Sequence, residues 1–369
     1  MRFVIFTHSL VSDWNHGNAH FLRGVATELV RRGNEVRIFE PRDGWSLRHL
    51  LAEHPTAFAE FEHAYPQIRS TLYDLESLDL AAALDGADVV IVHEWNDHAL
   101  VRRIGEYRAR LNGFRLFFHD THHRSVTDPD SIAAYDLRSY DGVLAYGSVI
   151  RDVYRARRWV AQAWTWYEAA DTRVFYPRTG EKEGDVVWIG NWGDGERSGE
   201  IREFLIRPVR ELRLKAAVYG VRYPPNALAE LADSGIEYRG WAPNYHVPEV
   251  FARYRATIHI PRRPYTRALP GIPTIRPFEA LACGIPLISA PWEDSENLFR
   301  PGRDFLFAAN GEEMIAHLGA VLSNNRLARD CAECGLETIR SRHACSHRVS
   351  DLLAIVANVG AVAATEGAH

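Results

Sequence analysis

The chain opens on a short apolar run, Phe3–Phe6, and similar runs return at Val36–Phe39, Val89–Val92, Leu116–Phe118 and Val143–Ala145. Their apolar positions are contiguous rather than alternating, the pattern of strands covered on both faces in a parallel sheet. Helix-length amphipathic stretches lie between them. Ala19–Arg32 places Phe21, Val25, Leu29 and Val30 on one side and stops before Gly33, which suits the left-handed position after a helix end. Strand and helix alternate, which predicts a doubly wound α/β sheet.

The pattern then starts again. Val186–Ile189, Ala217–Tyr219, Ile236–Tyr238, Thr257–Ile260 and Leu287–Ser289 are the strands of a second α/β series. Two facing Rossmann-like domains are therefore expected: one over residues 1–168, a linker over 169–183 containing Pro177 and Gly180, and a second domain over 184–340. The helical stretches Glu312–Leu322, Arg326–Arg340 and His347–Val359 have no strand after them, so they either cap the second domain or cross back to the first. Residues 341–369 read as a final helix and a tail, and Gly360–His369, rich in small residues, is expected to lack fixed structure. A chain of 369 residues exceeds what one core usually serves, in keeping with two domains.

Composition narrows the partners. A net charge of -5 gives no reason to expect nucleic-acid binding, so anionic ligands must be held by local arginines. Four cysteines are too few for a disulfide scaffold, the first residues do not read as a signal peptide, and no apolar run would span a bilayer. A cytoplasmic location is expected. Cys331 and Cys334 fall in a helical stretch, and their spacing with His343, Cys345 and His347 matches no zinc motif, so no metal is expected. Arg151, Arg155, Arg157 and Arg158 offer a place for peripheral membrane or lipid-linked acceptor contact, although a solvated helix face accounts for them as well.

Ligands of open α/β sheets bind outside the carboxyl ends of the strands, and the unusual residues of this chain lie there. After the first strand come Asp13, His16 and Gly17, which can meet a diphosphate or an acceptor. After Leu116–Phe118 come His119, Asp120, His122 and Arg124, suited to sugar hydroxyls and to proton transfer; His93-Glu94 is a weaker member of the same row. After Val186–Ile189 comes a glycine-rich loop with Gly190, Asn191, Trp192 and Arg197, able to curl around phosphate, and Tyr219, which ends the next strand, and Arg222 after it join the same donor-binding set. The segment from His259 to Pro286 carries Arg262, Arg263, Arg276, Phe278 and Glu279. Glu279 sits among apolar residues and would need hydrogen-bond donors, of which ribose hydroxyls are a natural pair; a pair with Arg276 is the alternative.

Arg276-Pro-Phe-Glu-Ala-Leu-Ala-Cys-Gly-Ile-Pro resembles the EA-x-A-x-G-x-P segment of GT-B glycosyltransferases of the group 1, GT4-like kind. With His119-Asp-Thr-His-His-Arg, Gly190-Asn-Trp-Gly-Asp, Arg262-Arg-Pro-Tyr and Asp171-Thr-Arg-Val-Phe-Tyr-Pro, the likeness extends over nearly the whole chain and is similar to the CgeB-like, spore-maturation branch. The resemblance implies a nucleotide-diphosphate sugar as donor (UDP, GDP, ADP or TDP), a retaining transfer, and no separate cofactor. It assigns Glu279 to the donor ribose, Arg197 and the Gly190 loop to the diphosphate, and His119 to the transferred sugar. If the reaction inverts instead, Asp13, His16 or Asp120 is the base. One departure stands out: relatives carry a second glutamate where this chain has Gly271, and a lysine common near the diphosphate is absent, leaving Arg262 or Arg263 in its place. A nucleotide-sugar epimerase and a non-catalytic sugar-nucleotide-binding protein are the competing readings.

Overall fold

The computed structural model describes residues 1–366 except His16, Asn112 and Asp194, with backbone alone over 360–366. The chain divides into two compact units, Met1–Glu168 with Cys345–His369, and Ala169–Ala344.

In the first unit β1 (Arg2–Phe6), β2 (Glu35–Pro41), β3 (Ser70–Tyr73), β4 (Val89–His93), β5 (Arg115–Asp120), β6 (Gly142–Ala145) and β7 (Ala163–Thr165) form one parallel sheet in the order β3-β2-β1-β4-β5-β6-β7. The apolar runs of β1, β4, β5 and β6 are buried, as strands covered on both faces must be. The helix Ala19–Arg31 ends as its sequence predicts: Gly33 takes φ +78° and donates its N–H to the Val30 carbonyl at 2.9 Å. The last helix, Cys345–Glu366, packs on this unit and extends into the stretch expected to lack structure. Arg32 holds it through the Ser346 carbonyl at 2.7 Å and Ser350 Oγ at 3.0 Å, and Trp166 Nε1 donates to the Arg348 carbonyl at 2.8 Å.

The second unit holds β8 (Gly184–Ile189), β9 (Ala216–Tyr219), β10 (Ile236–Tyr238), β11 (Tyr254–His259), β12 (Leu287–Ser289) and β13 (Leu306–Phe307), parallel in the order β10-β9-β8-β11-β12-β13. Its core gathers Trp188, Val218, Ile258 and Ile288 from the sheet with Ile201, Leu205 and Met314 from the helices. The strand order reverses between β8 and β11, the point where ligands of such sheets bind. The stretch 169–183 belongs to this unit: Ala170 bridges to Ala344, and Phe175 is buried. Among the described residues no helix is long and apolar enough to cross a membrane.

Candidate functional site

At the carboxyl end of β8 the backbone turns tightly. A Cβ on Gly220 would stand 2.1 Å from the Gly190 carbonyl oxygen, so the ends of β8 and β9 can lie together only because Gly220 has no side chain. Arg197 closes the loop: Nε and Nη2 donate to the Asn191 carbonyl at 3.0 and 2.6 Å, and Nη1 to the Ile260 carbonyl at 3.1 Å, tying the ends of β8 and β11. Burial, with Arg262 and Arg276 nearby, draws its guanidinium down to about 9, so it stays charged at neutral pH. Three further arginines surround this point. Arg262 pairs with Glu196 at 3.2 Å, Arg263 with Glu200 at 2.9 Å, and Arg276 with the fully buried Glu279, which also accepts from Asn244 Nδ2 at 2.6 Å.

The helix Ile275–Ala282 begins beside Arg276 with no side chain capping its first turn. Thr274, just before it, takes φ +62°, a strained value for a β-branched residue. His259, the last residue of β11, shares a 2.9 Å hydrogen bond between Nδ1 and Ser289 Oγ, while Nε2 is buried with no hydrogen-bond partner among the described residues. Burial, then Arg197 and Arg276, hold this imidazole near 3, hence neutral. Half-buried guanidiniums beside an uncapped helix start make an electropositive, anion-accepting place.

The first unit is built differently. β4 and β5 run in register with His93 opposite His119, and each strand end continues into an acid, Glu94 and Asp120. Both carboxyls are fully buried and hydrogen-bonded to each other. Asp120 also accepts from the Tyr154 hydroxyl at 2.9 Å and the His122 N–H at 3.1 Å, and Glu94 lies 3.3 Å from Arg124 Nη2. Burial lifts Asp120 to about 6 and Glu94 well above the usual carboxylate range, so the pair keeps a proton near neutrality. Two carboxyls, one proton and one guanidinium leave the cluster neutral overall. His119, the residue before Asp120 on the strand, has both ring nitrogens buried and without hydrogen-bond partners among the described residues, against Trp166 at 4.8 Å, His93 at 5.5 Å and Phe21 at 5.9 Å. Burial holds it near 3, and holds His8, which also feels Arg124, near 4. This is a dry place that can store a proton.

Residues 197–354 match a family model described as glycosyl transferase-like. The whole chain resembles solved structures at low identity. A sucrose-phosphate synthase from Thermosynechococcus elongatus superposes with a TM-score of 0.65 at 13% identity, covering 98% of this chain and 100% of that one. HepE of Anabaena, solved with UDP and glucose, gives 0.66 at 12%, covering 97% and 99%. BGT of phage T4, solved with UDP-glucose, gives 0.62 at 12%, covering 96% and 99%. No curated protein matches in sequence. The fold is GT-B. Together with the matched segment it supports a GT-B glycosyltransferase.

Within the GT-B fold several expected site residues sit otherwise than the sequence suggests. Arg197 spends three nitrogens on carbonyls, so it braces the glycine loop rather than presenting a free fork to phosphate. Glu279 already has donors in Arg276 and Asn244, which removes the reason for assigning ribose hydroxyls to it. Phe278 is core, packed on Phe299 at 5.2 Å. The Tyr219 hydroxyl accepts from Arg239 and Arg253, which both bond Glu183 at the amino end of β8, so it turns away from the strand's carboxyl end. Trp192 and Arg222 (φ +62°) line a depression of about 530 Å³ with Ser198, Arg202 and Tyr223. Gly271 takes φ +85°, where a side chain is strained, and a Cβ there would stand 2.6 Å from Glu296 Cγ.

In the first unit Asp13 is held 2.8 Å from the fully buried Arg23, so its carboxylate is engaged inside the unit. His16 lies outside the described residues. Gly17 is in the turn before Ala19–Arg31, where the Asn18 amide donates to Glu168 at 2.9 Å. His122 stands 5.0 Å from Trp95 and 3.9 Å from His123. Glu94 is the residue that sequence reasoning undervalued. The signal was the repeated His-acid pair at two strand ends, His93-Glu94 and His119-Asp120. Among the described residues, no group of three or more His, Cys, Asp or Glu side chains is placed to hold a metal ion.

Proposed function

We propose that the protein moves a hexosyl unit from a nucleotide diphosphate donor to an acceptor hydroxyl, with retention at the anomeric carbon and without a metal, as a member of the CgeB-like branch. The observation that carries this is the set of guanidiniums at the switch point between β8 and β11, with Arg262 and Arg263, just after β11, paired to Glu196 and Glu200 after β8, and Arg276 in the uncapped first turn of Ile275–Ala282. The acceptor oxygen bonds the anomeric carbon, the bond from that carbon to the diphosphate oxygen breaks, and the nucleoside diphosphate leaves with that electron pair. The acceptor's proton departs on the phosphate. Fixed positive charge stabilises the leaving group as its charge grows. The first unit serves the acceptor, with His119 and the proton-holding pair Glu94–Asp120 at the ends of β4 and β5. A cytoplasmic protein using a cytoplasmic donor fits this reading.

The test is calorimetry with UDP, GDP, ADP, CDP and TDP on the wild type and an Arg262→Ala, Arg263→Ala double variant. One diphosphate should bind, and the double variant should lose roughly 10²-fold for it, two charge-assisted hydrogen bonds, while affinity for the bare nucleoside changes little. An equal loss for diphosphate and nucleoside, or no binding by any of the five, overturns it. Donor turnover with no acceptor present would indicate an epimerase instead.

A further inference from the structure

We infer that the carboxyl ends of β2, β1, β4 and β5 form a carbohydrate-stacking platform, and that the acceptor is a saccharide chain. The inference rests on the reading of the protein as a glycosyltransferase. Of the ten tryptophans, all of them described, only Trp45 and Trp95 are exposed, at 39% and 41%. Large apolar surface left in water marks a place of contact. Both rings are fixed from behind. The Arg124 guanidinium sits 4.0 Å from the Trp95 ring centre, so the exposed surface is the opposite face and outer edge, and His122 braces it edge-on at 5.0 Å and 72°. Trp45 stands edge to the buried Trp14 at 5.2 Å and 68°, with His49 at 4.7 Å.

The two tryptophans belong to one row. His8, after β1, has its ring 6.0 Å from Trp95, and its carbonyl lies against Gly44, the residue before Trp45. Trp45, His8, Trp95 and His122 thus follow four neighbouring strands of the sheet, three strand spacings or roughly 14 Å of sheet width. An indole face is electron-rich and matches the weakly positive C–H face of a pyranose, while the half-buried His49 imidazole beside Trp45 can bond its hydroxyls. A width of several strands suits successive sugar rings better than one small alcohol. A membrane surface would call for projecting aromatics among outward lysines and arginines. Here the exposed charges near the tryptophans in sequence are of both signs, Arg42, Arg48 and Asp43 around Trp45 and Asp97 after Trp95, and Arg124 lies against the Trp95 ring.

The test is an array of immobilised oligosaccharides probed with the full chain, alongside the nucleotide titration above. The wild type should be retained on at least one glycan. Trp95→Ala and Trp45→Ala should each weaken that retention about tenfold, the loss of one aromatic contact, with Trp95→Phe restoring most of it. Melting temperatures verify that each variant is folded, and nucleotide affinity should not move. No retention on any glycan, equal retention by the double alanine variant, or tryptophan-dependent binding to phosphatidylglycerol vesicles in place of glycans overturns the platform. If nucleotides bind and glycans do not, the platform fails and the transferase reading stands. If glycans bind through Trp95 but no nucleotide does, the transferase reading is the one that fails.

Discussion

The two units place polar residues at the same topological address, the carboxyl ends of parallel strands, and handle charge there in opposite ways. In the first unit Glu94, Asp120 and His119 are sealed from water and kept near neutrality by a shared proton and by burial. In the second, Arg262, Arg263 and Arg276 stay charged, each matched by an acid yet still a quarter to a third exposed. A dry neutral cluster holds its protons tightly and changes state with pH. A wet charged cluster can exchange its internal partner for an external anion at little cost, because exposed ion pairs are individually weak.

The contrast can be broken most sharply by severing one ion pair in each unit. Asp13→Ala leaves the fully buried Arg23 without its acid and should cost about 3–5 kcal/mol in urea unfolding, whereas Glu196→Ala should cost no more than about 1 kcal/mol because Arg262 is open to water. Similar costs at both positions would mean that the second unit's arginines are structural and not ready to release their partners. Glu279→Ala is intermediate. It strands Asn244 and half-buried Arg276 and should lower stability by about 1–3 kcal/mol, again by urea unfolding, with nucleotide affinity altered only through the position of Arg276. A direct loss of ribose recognition, seen as weakened binding of the bare nucleoside, would restore the role that the motif implied.

The smallest effects concern pH. His8, His119 and His259 are held down to between about 3 and 4, so they remain neutral in the folded chain while unfolded imidazoles take up protons below about 6.5. Their contribution to stability is lost as pH falls from 6.5 towards 4. Asp120 works in the opposite sense: raised to about 6, its folded form keeps a proton that the unfolded carboxyl releases above about 3.8, so its contribution is lost as pH rises between these values. His119→Phe should therefore flatten the acid side of the melting-temperature profile, and Asp120→Asn should steepen it. An unchanged profile in both variants would mean that the first unit's cluster is solvated, and the contrast with the second would disappear.

Most of the fold was legible because the central strands are continuously apolar. The strands that escaped reading, Ser70–Tyr73, Ala163–Thr165 and Leu306–Phe307, all lie at sheet edges, where a strand needs only one neighbour and can be short and partly polar. The site was less legible, since side-chain direction decides it. Asp13 and Arg197 stand in loops where ligand contact is plausible, but their partners, Arg23 and the carbonyls of Asn191 and Ile260, depend on how distant segments meet. The mutual bond of Glu94 and Asp120 likewise follows from register between two strands, which neither strand's sequence states alone.

The return of Cys345–Glu366 to the first unit bears on how the chain is made. Residues of that unit through Glu168 are translated before Ala169–Ala344, and the closing helix comes only afterwards. At 5–20 residues per second the wait lasts roughly 10–35 s. During that interval the surface of Ala19–Arg31 that later meets the closing helix is uncovered, and Trp166 lacks the Arg348 carbonyl as its partner. The second unit, contiguous in sequence, has no such delay. A chain interrupted after Ala344 would therefore carry a finished second unit and an unfinished first one, the form most exposed to chaperones and proteases.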